Sequence, residues 1–182
     1  MLTELQTAKL THIFNIIDFD RNGTIEKEDF EAIGENLAII RDFDYGSADF
    51  DRVMGLSMSI WNNLQPHISG SEGSLSDWLT FMDNLFNEGD GLAYMNYLKK
   101  FVDTLFNLFD VNKDGVFSQN EYIDLFIGLR IEVRFAPKAF KRIDINGDGI
   151  ISKDELIKSS NVFMMSNDPE APGNWLFGDW DQ

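Results

Sequence analysis

Apolar residues recur along this chain at three- and four-residue intervals, and the runs are broken by short polar stretches that carry glycine. Leu10, Ile13, Phe14 and Ile17 fall at i, i+3, i+4 and i+7, one face of a helix. Phe101, Leu105, Leu108 and Phe109 repeat the spacing before a later polar stretch, and Tyr122, Leu125, Phe126 and Leu129 repeat it afterwards. Ala136, Phe140 and Ile143 lead into another such stretch, which Leu156, Ile157 and Phe163 follow. Val53, Leu56, Ile60 and Leu64 precede a further break, with Trp78, Phe81, Met82 and Leu85 beyond it. The pattern predicts an all-α chain built from helix–loop–helix units.

The polar stretches share a template. Asp18-Phe-Asp20-Arg-Asn22-Gly23-Thr24-Ile25, Asp110-Val-Asn112-Lys-Asp114-Gly115-Val116-Phe117 and Asp144-Ile-Asn146-Gly-Asp148-Gly149-Ile150-Ile151 place oxygen side chains at positions one, three and five. Each continues with glycine at six and an apolar residue at eight, and an acid closes each at twelve: Asp29, Glu121 and Glu155. A hard cation such as Ca²⁺ takes six to eight oxygen ligands, and this spacing wraps them around one point. Glycine at six accepts the left-handed turn without a Cβ clash. The carbonyls of Thr24, Val116 and Ile150 at position seven complete the direct set. Glu26, Ser118 and Ser152 at position nine act through water, and Glu at twelve offers both carboxylate oxygens. Asp29 is one methylene shorter, so the first loop is expected to tolerate six-coordinate Mg²⁺ better than the other two.

Such motifs pair through a short two-stranded contact at position eight, so a fourth copy is expected. Ile68-Ser-Gly70-Ser-Glu72-Gly73-Ser74-Leu75, running on to Leu79, fits the spacing but has Ile68 and Gly70 where acids belong and Leu79 at position twelve. It reads as a degenerate loop that binds no metal. The expected pairings are Ile25 with Leu75 and Phe117 with Ile151. Four loops in this order suggest two packed lobes, residues 1–90 and 91–182, joined at Glu88-Gly-Asp-Gly91.

Composition sharpens the picture. The 182-residue chain is 43% apolar and rich in Phe, enough for a sizeable core despite a net charge of −16. That charge opposes nucleic acid and anionic lipid and favours cations. Ten of the 31 acids lie at loop positions, so ligand clusters account for most of the imbalance. Crowded carboxylates repel one another without metal, which couples binding to folding. There is no cysteine, hence no disulfide and no thiolate metal site. Met1-Leu2-Thr3-Glu4 lacks a basic segment followed by an apolar run, and no stretch suits a membrane span, so a cytoplasmic monomer is expected.

The loops identify EF-hands. Intact first, third and fourth hands around a degenerate second resemble the sarcoplasmic calcium-binding proteins and bacterial calerythrin, and Gly173-Asn174-Trp175-Leu176-Phe177-Gly178 resembles the ending of that group, which includes calexcitin. The resemblance implies a Ca²⁺ buffer or storage protein with three sites, Mg²⁺ competing. A sensor that opens a groove for a protein target is the alternative, but the methionines Met54, Met58, Met82 and Met95 suit core filling. Calcium-regulated photoproteins share the hand pattern, yet Lys158-Ser159-Ser160-Asn161 stands where they carry a histidine. The histidines His12 and His67 read as solvated or capping residues, and no nucleophile–base pair or phosphate loop appears. An enzyme is not expected, and the sequence identifies no protein target. The tail, with Trp175, Leu176, Phe177 and Trp180 between prolines and the end, is expected to dock on the body.

Overall fold

A computed structural model describes residues 1–68, 70–87, 89 and 91–181. Among these lie eight α-helices: α1 (Glu4–Ile17), α2 (Lys27–Ile40), α3 (Ala48–Leu64), α4 (Leu75–Asn87), α5 (Leu92–Phe109), α6 (Gln119–Gly128), α7 (Ala136–Ile143) and α8 (Lys153–Met165). Each predicted apolar face becomes one of these helices. The starts of α1, α6 and α8 are fixed by side chains that satisfy otherwise unpaired N–H groups. The Thr3 hydroxyl accepts from Gln6 N–H while the Gln6 side chain accepts from Thr3 N–H, and Ser118–Glu121 and Ser152–Glu155 repeat the reciprocal arrangement.

Four two-residue strands sit in the loops: β1 (Thr24–Ile25), β2 (Gly73–Ser74), β3 (Val116–Phe117) and β4 (Ile151–Ser152). They form two antiparallel pairs, β1 with β2 and β3 with β4. Phe117 faces Ile151 as expected. The other register differs: Ile25 faces Gly73 and Thr24 faces Ser74, so Leu75 is not in the ladder. Ser74 and Asp77 cap α4 as Ser118 and Glu121 cap α6, with Ser74 N–H donating to Asp77 Oδ2 at 3.0 Å. Position nine of the second hand is therefore Ser74 and position twelve is Asp77, two residues earlier than the sequence alignment placed it. Gly73 can occupy position eight because Ile68 covers it; a Cβ there would lie 3.1 Å from Ile68 Cγ2. The isoleucine supplies the apolar volume that Ile25, Phe117 and Ile151 supply elsewhere.

A connected cluster of buried apolar side chains runs from Leu10 to Phe177 and draws on all eight helices. Polar links cross between the two halves of the chain. Arg41 on α2 pairs with Asp124 on α6 at 3.0 Å, and the Asn36 amide donates to the Gly128 carbonyl at 2.9 Å. Met82 and Met164 are buried in this core. The proposed join is only partly visible, since Glu88 and Asp90 lie outside the described residues.

After α8 the chain turns back over the body through a 3-10 turn at Pro172–Trp175. Leu176 and Phe177 are 0% and 3% exposed, and Phe177 meets Phe163 and Phe101 edge-on. Three polar groups hold this return. The Tyr122 hydroxyl donates to the Leu176 carbonyl at 2.6 Å, and His12 Nε2 donates to the Phe177 carbonyl at 2.8 Å. Lys9, 1% exposed, donates from Nζ to the Ser166 carbonyl at 2.9 Å and Asn174 Oδ1 at 3.0 Å.

Candidate metal centres

Three loops are folded by the same hydrogen bonds, each set by residue type at fixed spacing. The position-one aspartate accepts the N–H of the glycine at six: Gly23 to Asp18 at 2.9 Å, Gly115 to Asp110 at 3.0 Å, Gly149 to Asp144 at 3.0 Å. Position three accepts from the backbone of position five, Asn22 to Asp20, Asp114 to Asn112 and Asp148 to Asn146, at 2.9–3.0 Å. Position five accepts from position seven, Thr24 to Asn22, Val116 to Asp114 and Ile150 to Asp148, at 2.8–3.1 Å. The chain winds around its own oxygen side chains. Gly23, at φ +91°, makes the sharp reversal at six.

The closing acid ties the loop to the following helix. In each case one carboxylate oxygen accepts from position two and the other from position nine. Asp29 takes Phe19 and Glu26 N–H at 2.8 Å each; Glu121 takes Val111 at 3.0 Å and Ser118 at 2.9 Å; Glu155 takes Ile145 at 3.0 Å and Ser152 at 2.9 Å. All three closing acids are buried, while the side chains at positions three and five are exposed.

The first loop differs electrostatically. Burial, reinforced by the nearby Asp20 carboxylate, holds the Asp29 carboxyl above its usual value despite its backbone hydrogen bonds. Burial also opposes ionisation of Glu121 and Glu155. There the hydrogen bonds win, including those from the Ser118 and Ser152 hydroxyls, and both sit below the usual range. Carboxylate oxygens of Asp18, Asp20 and Asp29 lie within 4.8 Å of one another, the one such acidic cluster among the described residues. Asn22 Nδ2 adds a link to Glu26 Oε1 at 2.7 Å, which brings a fourth acid to this loop. The donor set is all oxygen and negatively charged, which fits a hard divalent cation and not a soft metal. When bound, such an ion would favour the ionised form of Asp29, which burial and, to a lesser degree, the Asp20 charge now oppose.

Among its described residues the second loop shares the strand pairing and the Ser74–Asp77 closure. Counting back from Asp77, positions one, three and five fall on Pro66, Ile68 and Gly70, none with a side-chain oxygen. The displaced register was legible in Ser74-x-x-Asp77, the counterpart of Ser118-x-x-Glu121 and Ser152-x-x-Glu155. From the sequence, Tyr122 has only a helix face and Asn174 only a place in the tail motif, and Lys9 is not singled out, because the Tyr122–Leu176 and Lys9–Asn174 hydrogen bonds join residues distant in the chain. His12 is half-buried against the tail and not a cap; His67 packs on Phe81 in a tilted pair with ring centres 4.7 Å apart.

Paired helix–loop–helix units with oxygen-lined loops define a calcium-binding EF-hand protein. The family model for the EF hand matches residues 138–158, and that for the EF-hand domain pair matches residues 1–31 and 97–127. The chain is 31% identical over 176 residues to the sarcoplasmic calcium-binding protein of Hediste diversicolor, covering 97% of this chain and 98% of that one. It belongs to the sarcoplasmic calcium-binding protein family. Among solved structures, the Ca-loaded apo form of coelenterazine-binding protein from Renilla muelleri has a TM-score of 0.77 at 22% identity, covering 98% of this chain and 99% of that one. The sarcoplasmic calcium-binding protein of amphioxus has a TM-score of 0.74 at 17% identity, with the same coverage. These likenesses are of fold. No helix among the described residues is long and apolar enough to cross a membrane.

Proposed function

We propose that this protein is an intracellular Ca²⁺ buffer or store with three metal sites, at loops 18–29, 110–121 and 144–155, Mg²⁺ competing most strongly at the first. Asp18, Asp20, Asn22, Thr24 and Asp29 would hold the first ion; Asp110, Asn112, Asp114, Val116 and Glu121 the second; Asp144, Asn146, Asp148, Ile150 and Glu155 the third. The ion itself supplies no reaction in this reading; the protein stores it and gives it up. The observation that carries buffering over sensing is the burial of Leu176 and Phe177 among α1, α5, α6 and α8. A sensor must open an apolar groove to a target helix, and here the chain's own tail fills the core. Each half contributes one strand pair, which supports reading residues 1–90 and 91–182 as paired hands.

Calorimetric titration with Ca²⁺, with and without millimolar Mg²⁺, tests the proposal. Three equivalents should bind, and Glu121→Gln or Glu155→Gln should each remove one, because the exchange deletes a charge and an oxygen from the closing carboxylate. A fourth specific equivalent, or an unchanged count in both variants, would refute the site assignment.

A further inference from the structure

A cleft of about 360 Å³ opens between the end of α3, α4 and α5, away from the three metal loops. Its volume is that of a small-molecule site. Its walls carry rings: Phe81 packs against His67 in a tilted pair at 4.7 Å and is met edge-on by Tyr97 at 5.8 Å, and Phe101 also lines the cleft. Burial pushes the Tyr97 phenol up to about 12, so it remains a neutral hydroxyl at any ordinary pH.

The charge of this cleft is opposite to that of the protein. In a chain with 31 acids and a net charge of −16, no Asp or Glu lines it among the described residues. The one permanently charged side chain in that described lining is Lys100. Its ammonium donates to Asn63 Oδ1 at 2.8 Å and has no ion-pair partner among the described residues. A described lining with an ammonium and no carboxylate favours an anion over a cation. Asn63 holds that ammonium at the rim while leaving it two further donors. An anion there would gain a charge-assisted hydrogen bond, and its ring would replace water on Phe81, Tyr97 and Phe101.

We infer that this cleft binds a small aromatic monoanion, its ring against Phe81, Tyr97 and Phe101 and its acid group on Lys100. The degenerate second hand contributes α3 and α4, so a hand without metal ligands would have a binding role of its own.

The test uses the full-length Ca²⁺-loaded protein with 2-naphthoate as probe and 2-naphthylmethanol as its neutral counterpart. Binding is read by calorimetry and by proton shifts of His67 and Tyr97. One equivalent of naphthoate should bind, about tenfold or more tighter than the alcohol, since only the carboxylate accepts a charge-assisted hydrogen bond from Lys100. Lys100→Met should remove that preference while leaving the alcohol's affinity unchanged. Ala93→Trp should fill the cleft and abolish binding of both. Thr80→Trp, at an exposed rim position, does the same without disturbing the core. Absence of one-to-one naphthoate binding up to about 1 mM, a weak limit on the affinity scale, overturns the inference. Equal binding by Thr80→Trp, or a preference that survives Lys100→Met, overturns it as well.

Discussion

At the scale of single residues, two buried charges behave in opposite ways. Asp29 is short, and burial, with a smaller contribution from the Asp20 charge, holds it above the usual carboxylate range, a state that a bound cation would relieve. Asp29→Glu should lengthen the closing chelate and raise the Ca²⁺ preference of the first loop over Mg²⁺. The measurement is competitive titration at that loop, and an unchanged ratio would show that chelate length does not set its selectivity. Lys9 is a buried cation without a carboxylate; burial pulls its pKa from 10.5 to about 8. Its acceptors are the last carbonyls of α8 and the tail amide Asn174, the negative end of a helix dipole. Because the folded pKa lies below the unfolded one, the unfolded chain holds more protons between about pH 8 and 10.5. Stability from this group therefore rises with pH across that window and is lost as pH falls through it. Denaturant unfolding of the wild type and Lys9→Met at about pH 7.5, below the window, and about pH 9.5, inside it, checks this. The wild type should gain on the variant at the higher pH.

At the scale of elements, two close approaches depend on residues that lack a Cβ. The first is Gly73, which lets Ile68 cover the β1–β2 pair. The second is Gly128 at the end of α6, where α2 and α5 come nearest. A Cβ there would lie 2.3 Å from Leu37 Cδ2 and 3.2 Å from Phe109 Cε1, and both side chains are buried. Gly128→Ala should therefore destabilise the protein by about 1–3 kcal/mol, the usual cost of overpacking, despite alanine's better helix propensity. Chemical denaturation would report it as a lower midpoint with an unchanged slope. A neutral or stabilising result would mean that Leu37 moves aside freely. The Asn36–Gly128 hydrogen bond and the Arg41–Asp124 pair beside this contact give α2 a fixed seat on α6.

At the scale of the molecule, the return of the tail decides whether the loaded protein has a groove to offer. Leu176 and Phe177 are buried, and burial of a large side chain contributes roughly 1.5–3 kcal/mol. Truncation after Ser166 also leaves the Lys9 ammonium and the Tyr122 hydroxyl without their tail acceptors. The truncated chain should melt about 6–12 °C lower, as expected for a loss of about 3 kcal/mol in a chain of this size. It should also bind more of a hydrophobic dye when loaded with Ca²⁺. Equal melting temperature and equal dye response in the two forms would remove the tail as a plug and reopen the sensor reading.

The helices and the three complete loops were legible in the sequence because both are local. Helical faces repeat every three to four residues, and the loop donors all lie within twelve residues of one another. The hydrogen bonds that wind Asp18 to Gly23, or Asp110 to Gly115, need only the right residue types at those offsets. The Ser74–Asp77 closure was equally local, but Leu75 offered a better apolar match and drew the alignment two residues too far. Only the tertiary structure supplied Ile68 as the cover that makes Gly73 tolerable in the ladder. It alone also brought Lys9, His12 and Tyr122 to carbonyls and amides more than fifty positions away. The cleft beside Lys100 belongs to the same class. Spacing fixes what a side chain shares with its own helix, whereas the partner it meets across the core depends on how all eight helices pack.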